Sequence, residues 1–284
     1  MLTARDLGLL ACPSCRGSLA APNGFHDGAA LDCRGCSASW PIERGLPRLL
    51  RDEEVRGNDR LLRHVYDALP SLHDPAVRYL LALFQAGSER SLRDGYMPRI
   101  ELASLRAHPD GRPLRILEVG IGTGANLPLV RRDLPRGLAV EIWGADLSEG
   151  MLEVCRRRLA RRDDSDVRLV MADAHALPFA DGAFDRVFHV GAAGSFRDPA
   201  RALAEMARVA APGTPIVVVD EQLDPGRPLP LVQRALFRLV TFYEPRPHCP
   251  LEHLPPGAED VCAEQISRFF YSLRFRAPRP TRTE

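Results

Sequence analysis

Four cysteines in two tight pairs carry the most specific chemistry in this sequence. Cys12-Pro-Ser-Cys15 and Cys33-Arg-Gly-Cys36 are separated by 17 residues. That lies inside the gap of about 15–20 residues that lets two C-x2-C knuckles share one zinc ion. A tight turn in each knuckle brings two thiolates to a tetrahedral ion, and Gly17 and Gly35 suit such turns. Four cysteine ligands leave no open coordination position, so a structural Zn2+ and a folding unit are expected. A second centre is LRILEVGIGTGANL, residues 114–127, where Gly120, Gly122 and Gly124 fall within five positions. So glycine-rich a turn lets the backbone approach a ligand closely. Gly120-x-Gly122-x-x-Ala125 fits a dinucleotide fingerprint. Yet Glu118, two residues earlier, would place a carboxylate beside a pyrophosphate. A cationic ligand meets no such repulsion.

These residues need particular elements to position them. RILEVG reads as a buried strand entering the turn, and ANLPLVRRDL as the start of a helix. AVEIWGAD is a second strand ending at Asp146, where a carboxylate can accept both hydroxyls of a ribose. Ser148 is expected to cap the next helix, whose apolar face opens with Met151 and Leu152. VRLVMADAHALPFADGAFDRVFHV supplies a third strand with Asp173 at its end, a proline-containing loop and a fourth strand. PARALAEMARVAAPGTPIVVVDE adds a helix, a Pro-Gly turn and a fifth strand. Upstream, LLRHVYDAL, AVRYLLALF and YMPRIELASL show helical periodicity, separated by Pro70, Pro75, Pro98 and Pro109. Downstream, PLPLVQRALFRLVTFY reads as a lid or core helix, and QISRFFYSLRFRAP as closing strands.

The pieces LEVGIGTG, GADLSEGML, ADAHALPFADGAFD and EMARVAAPGTPIVVVDE, in this order over residues 114–221, resemble the class I S-adenosylmethionine-dependent methyltransferases. The likeness is to the branch with quinone and other small-molecule methyltransferases. It implies an α/β fold: a Rossmann-like, seven-stranded sheet with helices on both faces, plus the small zinc ribbon. It also implies that Gly120, Gly122 and Gly124 pass under the methionine part of S-adenosylmethionine, with Glu118 near its ammonium. Asp146 with Leu147 would hold the ribose, and Asp173 with Ala174 would face the adenine. In small-molecule relatives the helices before the glycine motif commonly cover the active site, which makes Tyr66, Arg93 and Tyr96 candidates for substrate contact. Core packing is the competing reading for the tyrosines. After the fourth strand this chain departs from relatives with a histidine pair or aromatics: His189 is followed by small residues up to Ser195. His189 is thus a candidate general base, against the plainer reading of a satisfied buried histidine.

The N-terminal stretch has its own resemblance. LLACPSCRGSL and LDCRGCSASWPIERGLPRLL are similar to small zinc-ribbon proteins that activate tRNA and rRNA methyltransferases, and to ribbons preceding rRNA guanine methyltransferases. In the latter the last ligand is often a histidine, where this chain has Cys36. The division expected is a ribbon over 1–50, a helical cap over 51–110, and a cofactor-binding domain over 111–284 with a lid near 224–262.

The 284 residues carry 38 basic and 37 acidic groups, every basic one an arginine, for a net charge of +1. Such balance argues against a basic nucleic-acid footprint over the whole chain. No apolar run is long enough to span a membrane, and no secretory signal is visible, so a cytoplasmic protein is expected. The function expected is methyl transfer to a small, apolar, natural-product or quinone-like molecule, the acceptor atom left open. RNA base methylation guided by the ribbon is the alternative, with Arg156, Arg157, Arg158, Arg161 and Arg162 as its best patch. A cofactor-binding protein that transfers no methyl group is a third reading. Cys155, Cys249 and Cys262 have no visible partners in the sequence, although folding could gather them.

Overall fold

Near-continuous apolar runs such as LRILEV and PIVVVDE form strands buried on both faces, the pattern expected of a helix-covered parallel sheet. The computed structural model describes residues 2–75, 79, 89–162, 164 and 166–279. The helix expected over AVRYLLALF, residues 76–84, lies outside the described residues but for Tyr79, as do Asp163 and residues 280–284.

Seven strands make the main sheet: β5 (Leu114–Val119), β6 (Val140–Asp146), β7 (Val167–Ala172), β8 (Arg186–Val190), β9 (Pro215–Glu221), β10 (Glu259–Gln265) and β11 (Phe270–Arg276). Their order is β7-β6-β5-β8-β9-β11-β10; the first five are parallel, and β11 is antiparallel to both neighbours. Strand order reverses at β5 and β8, and the crevice outside the carboxyl ends there is where such sheets bind ligands. Helices α1 (Gly57–Ala68), α2 (Glu89–Tyr96), α3 (Leu127–Asp133), α4 (Glu149–Arg162), α5 (Pro199–Val209) and α6 (Leu231–Val240) complete the main elements. Ser148 caps α4 as expected, its hydroxyl oxygen accepting the Met151 amide at 3.1 Å.

The ribbon is not a separate bead. Its strands β1 (Leu19–Ala20), β2 (Ala30–Cys33), β3 (Ser39–Glu43) and β4 (Leu46–Leu49) continue the main sheet, because β4 pairs in parallel with β7 through Arg48–Met171 and Leu49–Ala172. The sheet therefore has eleven strands where seven were expected. One apolar cluster runs from Leu31, Trp40 and Leu49 in the ribbon to Leu117, Trp143 and Phe179. Residues in one cluster share the loss when any one is removed, so ribbon and sheet are packed as a single core.

YMPRIELASL is not a regular helix. Met97–Ile100 and Leu102–Ser104 form two 3-10 turns, with Glu101 left-handed between them at φ 57°. Pro98 lacks an amide hydrogen and disfavours helical geometry at Met97. Arg274 and Arg276 of β11 hold the Glu101 carboxylate at 2.7 and 2.9 Å. Helix α6 borders the cavity through Phe237, which is buried, and Val240, while Leu231, Val232 and Leu239 are exposed. No described helix is long and apolar enough to cross a membrane.

Candidate active site

The carboxyl ends of β5, β6, β7, β8 and β9 open into a cavity of about 450 Å³. Glu118, Gly120, Gly122, Asp146, Leu147, Asp173, Ala174, His189 and Tyr96 all line it; Gly124 does not. The three glycines of the turn are needed for three reasons. All have positive φ. A Cβ on Gly120 would come within 3.0 Å of the His189 ring, and one on Gly124 within 2.8 Å of the Cys155 sulfur. At Gly122 nothing lies within 4 Å, so the cavity reaches its backbone directly. Gly144, not singled out in the sequence, lies under the turn; a Cβ there would strike Ile121 at 2.4 Å.

Glu118 is buried at 2% exposure. Its Oε1 accepts Nδ2 of Asn126 at 2.7 Å, and its Oε2 has no hydrogen-bond partner among the described residues. Burial pushes this carboxyl up to about 8, against the opposing hydrogen bond from Asn126. Oδ1 of Asn126 accepts the Tyr96 hydroxyl at 2.8 Å and Arg93 at 3.1 Å. Tyr96 is thereby placed as a buried support of Asn126. The Asp146 carboxylate accepts the amides of Gly122 at 2.7 Å and Ser148 at 2.8 Å, tying the glycine turn to the end of β6. Burial raises its carboxyl, and those two amides oppose the shift.

Asp173 is held from two sides: His175 by backbone and ring at 2.9 and 2.6 Å, and Arg197 at 2.6 Å. Despite burial, these partners keep its carboxyl well below the usual carboxylate range. Arg197 also donates to Asp59 of α1 at 2.8 Å, fastening that helix to the cavity wall. The opposite end of α1 is followed by Asp74, whose carboxylate accepts the Thr123 hydroxyl at 2.8 Å and pairs with Arg158 at 2.6 Å. Arg156 and Arg157 pair with Glu153 of their own helix. Three arginines of the patch are thus engaged in holding structure.

His189 is the penultimate residue of β8, buried, its Nδ1 2.7 Å from the Val119 carbonyl. That contact fixes the ring as an Nδ1–H donor, and Nε2 has no hydrogen-bond partner among the described residues. Burial lowers the imidazole below its ordinary range, which favours the neutral ring. Sequence reasoning missed Glu221 and Tyr243, which also line the cavity and meet through the Tyr243 hydroxyl on Oε2 at 2.9 Å. Both lay in segments read only as a strand end and a lid, and no spacing pattern joins them.

Away from the cavity, the sulfurs of Cys12, Cys15, Cys33 and Cys36 lie within 4.8 Å of one another, the arrangement a tetrahedral ion requires. The Gly35 amide donates to the Cys33 sulfur at 3.2 Å and lowers that thiol to about 6. A Cβ on Gly17 would approach the sulfurs of Cys15 and Cys33 at 3.1 and 3.2 Å. Among the described residues no other group of this kind occurs: Cys155 is buried against Gly124, and Cys249 and Cys262 do not join it.

Residues 117–218 match the family described as "Methyltransferase domain". Demethylmenaquinone methyltransferase of Thermus thermophilus is 41% identical over 128 residues, covering 45% of this chain and 56% of that protein. The enzyme of the same name from Beutenbergia cavernae is 31% identical over 182 residues, covering 63% and 68%. Among solved structures, Haemonchus contortus phosphoethanolamine N-methyltransferase 2 with S-adenosyl-L-methionine matches at TM-score 0.58 and 14% identity, covering 82% of this chain and 62% of that one. That last likeness concerns the fold alone. The chain belongs to the class I S-adenosylmethionine-dependent methyltransferases, in the branch that includes the quinone methyltransferases. It spans about half the length of the Thermus relative.

Proposed function

We propose that the protein transfers the methyl group of S-adenosylmethionine to a small, largely apolar, quinone-like molecule held in the cavity. The observation that carries this is Glu118. A buried carboxylate oxygen without a partner, at the mouth of a glycine turn, is what a cationic ammonium would satisfy. The open face of Gly122 leaves room for the methionine part, and Asp146 with Leu147 sits where ribose hydroxyls would be received. Ala174 lies toward the adenine side with Asp173, whose charge Arg197 already balances. When bound, the cofactor supplies an electrophilic methyl group on a sulfonium. The chain's part is to hold, orient and exclude water. Leu62, Leu92, Phe237, Val240, Phe269 and Phe270 give the rest of the cavity an apolar wall suited to a quinone-like ring.

The cysteine cluster is assigned to a structural zinc ion. RNA recognition is the weaker reading, because Arg156, Arg157 and Arg158 are committed to Glu153, Asp74 and Thr123. The test is methyl-tritiated S-adenosylmethionine offered with total RNA or with an organic extract containing a demethylated naphthoquinol. Label in the extract is the expected result. Label in acid-precipitable RNA would overturn the assignment.

A further inference from the structure

Strand β9 ends in two adjacent acids whose surroundings differ. Asp220 is 1% exposed; its Oδ2 accepts the Gly194 amide at 2.5 Å, and among the described residues no donor meets its Oδ1, with the Glu221 carboxyl beside it. Glu221 faces the cavity, and its Oε2 is held by the Tyr243 hydroxyl just beyond α6. The Tyr243 carbonyl in turn accepts Nδ2 of Asn58 from α1 at 2.7 Å, so α1 and the segment after α6 meet over this carboxylate. His189, neutral and with a bare Nε2, lines the same cavity. The arginines that line the cavity are engaged elsewhere: Arg63 by Asp52 and Asp67, Arg93 by the Ala125 carbonyl and Asn126. This end of the site therefore offers hydrogen-bond acceptors and negative charge.

We propose that Glu221, covered by Tyr243, is the proton acceptor for a neutral hydroxyl on the methyl acceptor, and that this end of the cavity rejects anionic head groups. The proposal rests on the cofactor reading above. The hydroxyl O–H bond breaks and its proton passes to the Glu221 carboxylate, leaving the electron pair on oxygen or on a ring carbon conjugated with it. That pair forms the new bond to the methyl carbon while the methyl–sulfur bond breaks with its pair going to sulfur. If carbon is the acceptor, protonated Glu221 returns its proton to the oxygen and the freed carboxylate takes the ring hydrogen, which restores aromaticity. Burial among acids raises the Asp220 carboxyl well above its usual range. That favours the protonated form of Asp220, the more deeply buried of the two acids.

The experiment uses the full chain and Glu221→Gln, with two probes that need no cofactor: 4-nitrophenol, whose ionised form absorbs separately, and 4-nitrophenyl phosphate. Wild type should bind 4-nitrophenol in its neutral form, with its absorption shifted away from the ionised form, and the phosphate should not compete. Glu221→Gln should lose the shift and transfer label to a naphthoquinol about 100-fold more slowly, with calorimetric affinity for S-adenosylmethionine unchanged. Unaltered absorption, unaltered transfer or effective competition by the phosphate would overturn the proposal. So would loss of cofactor affinity, which would place Glu221 in the cofactor site. Wild type that binds no S-adenosylmethionine would sink the cofactor reading, while the nitrophenol comparison would still decide the role of Glu221. If Glu221→Gln does not fold, Tyr243→Phe decides: a reduced spectral shift supports the pair, and an unchanged one refutes it.

Discussion

Asn126 donates to only one oxygen of Glu118, at 2.7 Å, and leaves the other buried and unmatched. The folded-state value of about 8 lies above the ordinary 4.5, so Glu118 binds its proton more tightly in the folded chain. Stability of the free protein should be highest near the lower value and fall as pH rises toward the upper one. A cationic cofactor favours the carboxylate, so its affinity should rise over the same window and its binding below pH 8 should expel a proton. Titration calorimetry in two buffers of different ionisation enthalpy reads this directly. Equal heats would refute it, and Glu118→Gln should abolish the difference.

Asp146→Ala should lower the affinity for S-adenosylmethionine by at least about 10–100-fold, the loss expected for one charged, buried hydrogen-bonding group. The Gly122 and Ser148 amides also lose their acceptor. Calorimetry that returns the wild-type affinity would remove Asp146 from the site.

Arg197→Ala should destabilise the chain by about 3 kcal/mol, because two largely buried acids, Asp59 and Asp173, lose their shared partner. The depressed Asp173 carboxyl contributes stability above its unfolded value that disappears as pH falls. Denaturant titrations across the acid range should therefore show a shallower loss in the variant. An identical acid limb would contradict the assignment.

Cys33→Ser should abolish zinc binding at the proposed four-cysteine site and lower the melting temperature of the whole protein by more than about 5 °C, since structural zinc contributes directly to folding. The shared core predicts one transition, with ribbon and sheet melting together. Metal analysis beside a melting scan checks both halves. A variant without zinc but with wild-type melting would show the ribbon to be independent.

Much of the site was legible because its residues follow strand ends in order. Glu118 and His189 are penultimate in their strands, Asp146 ends one and Asp173 follows one, and strand ends on one sheet edge must converge. Glu221 and Tyr243 were not legible, since a flexible-looking proline-rich link and a helix separate them and only the folded chain brings them to 2.9 Å. The ribbon's motif was plain, but its attachment to β7 depends on a register between Arg48 and Met171 that no local pattern encodes. Glu101 misled the helical reading of 97–104 because its left-handed backbone is held by arginines far along the chain. Gly124 was expected under the methionine part of the cofactor; its positive φ and its packing against Cys155 and Leu127 also leave no room for a side chain there.

The ribbon's pairing with β7 also changes what the molecule presents to its neighbours. Without β4, the parallel strand β7 would leave a row of open amides and carbonyls, a template on which another chain could extend the sheet. With it, that side ends at β1, only two residues long. The other side ends at β10, which carries Glu259, Asp260 and Glu264 and a break in register between Glu259 and Cys262. An eleven-stranded sheet thus reaches solvent through one stub and one irregular acidic strand, and neither is a good surface for the growth of an aggregate.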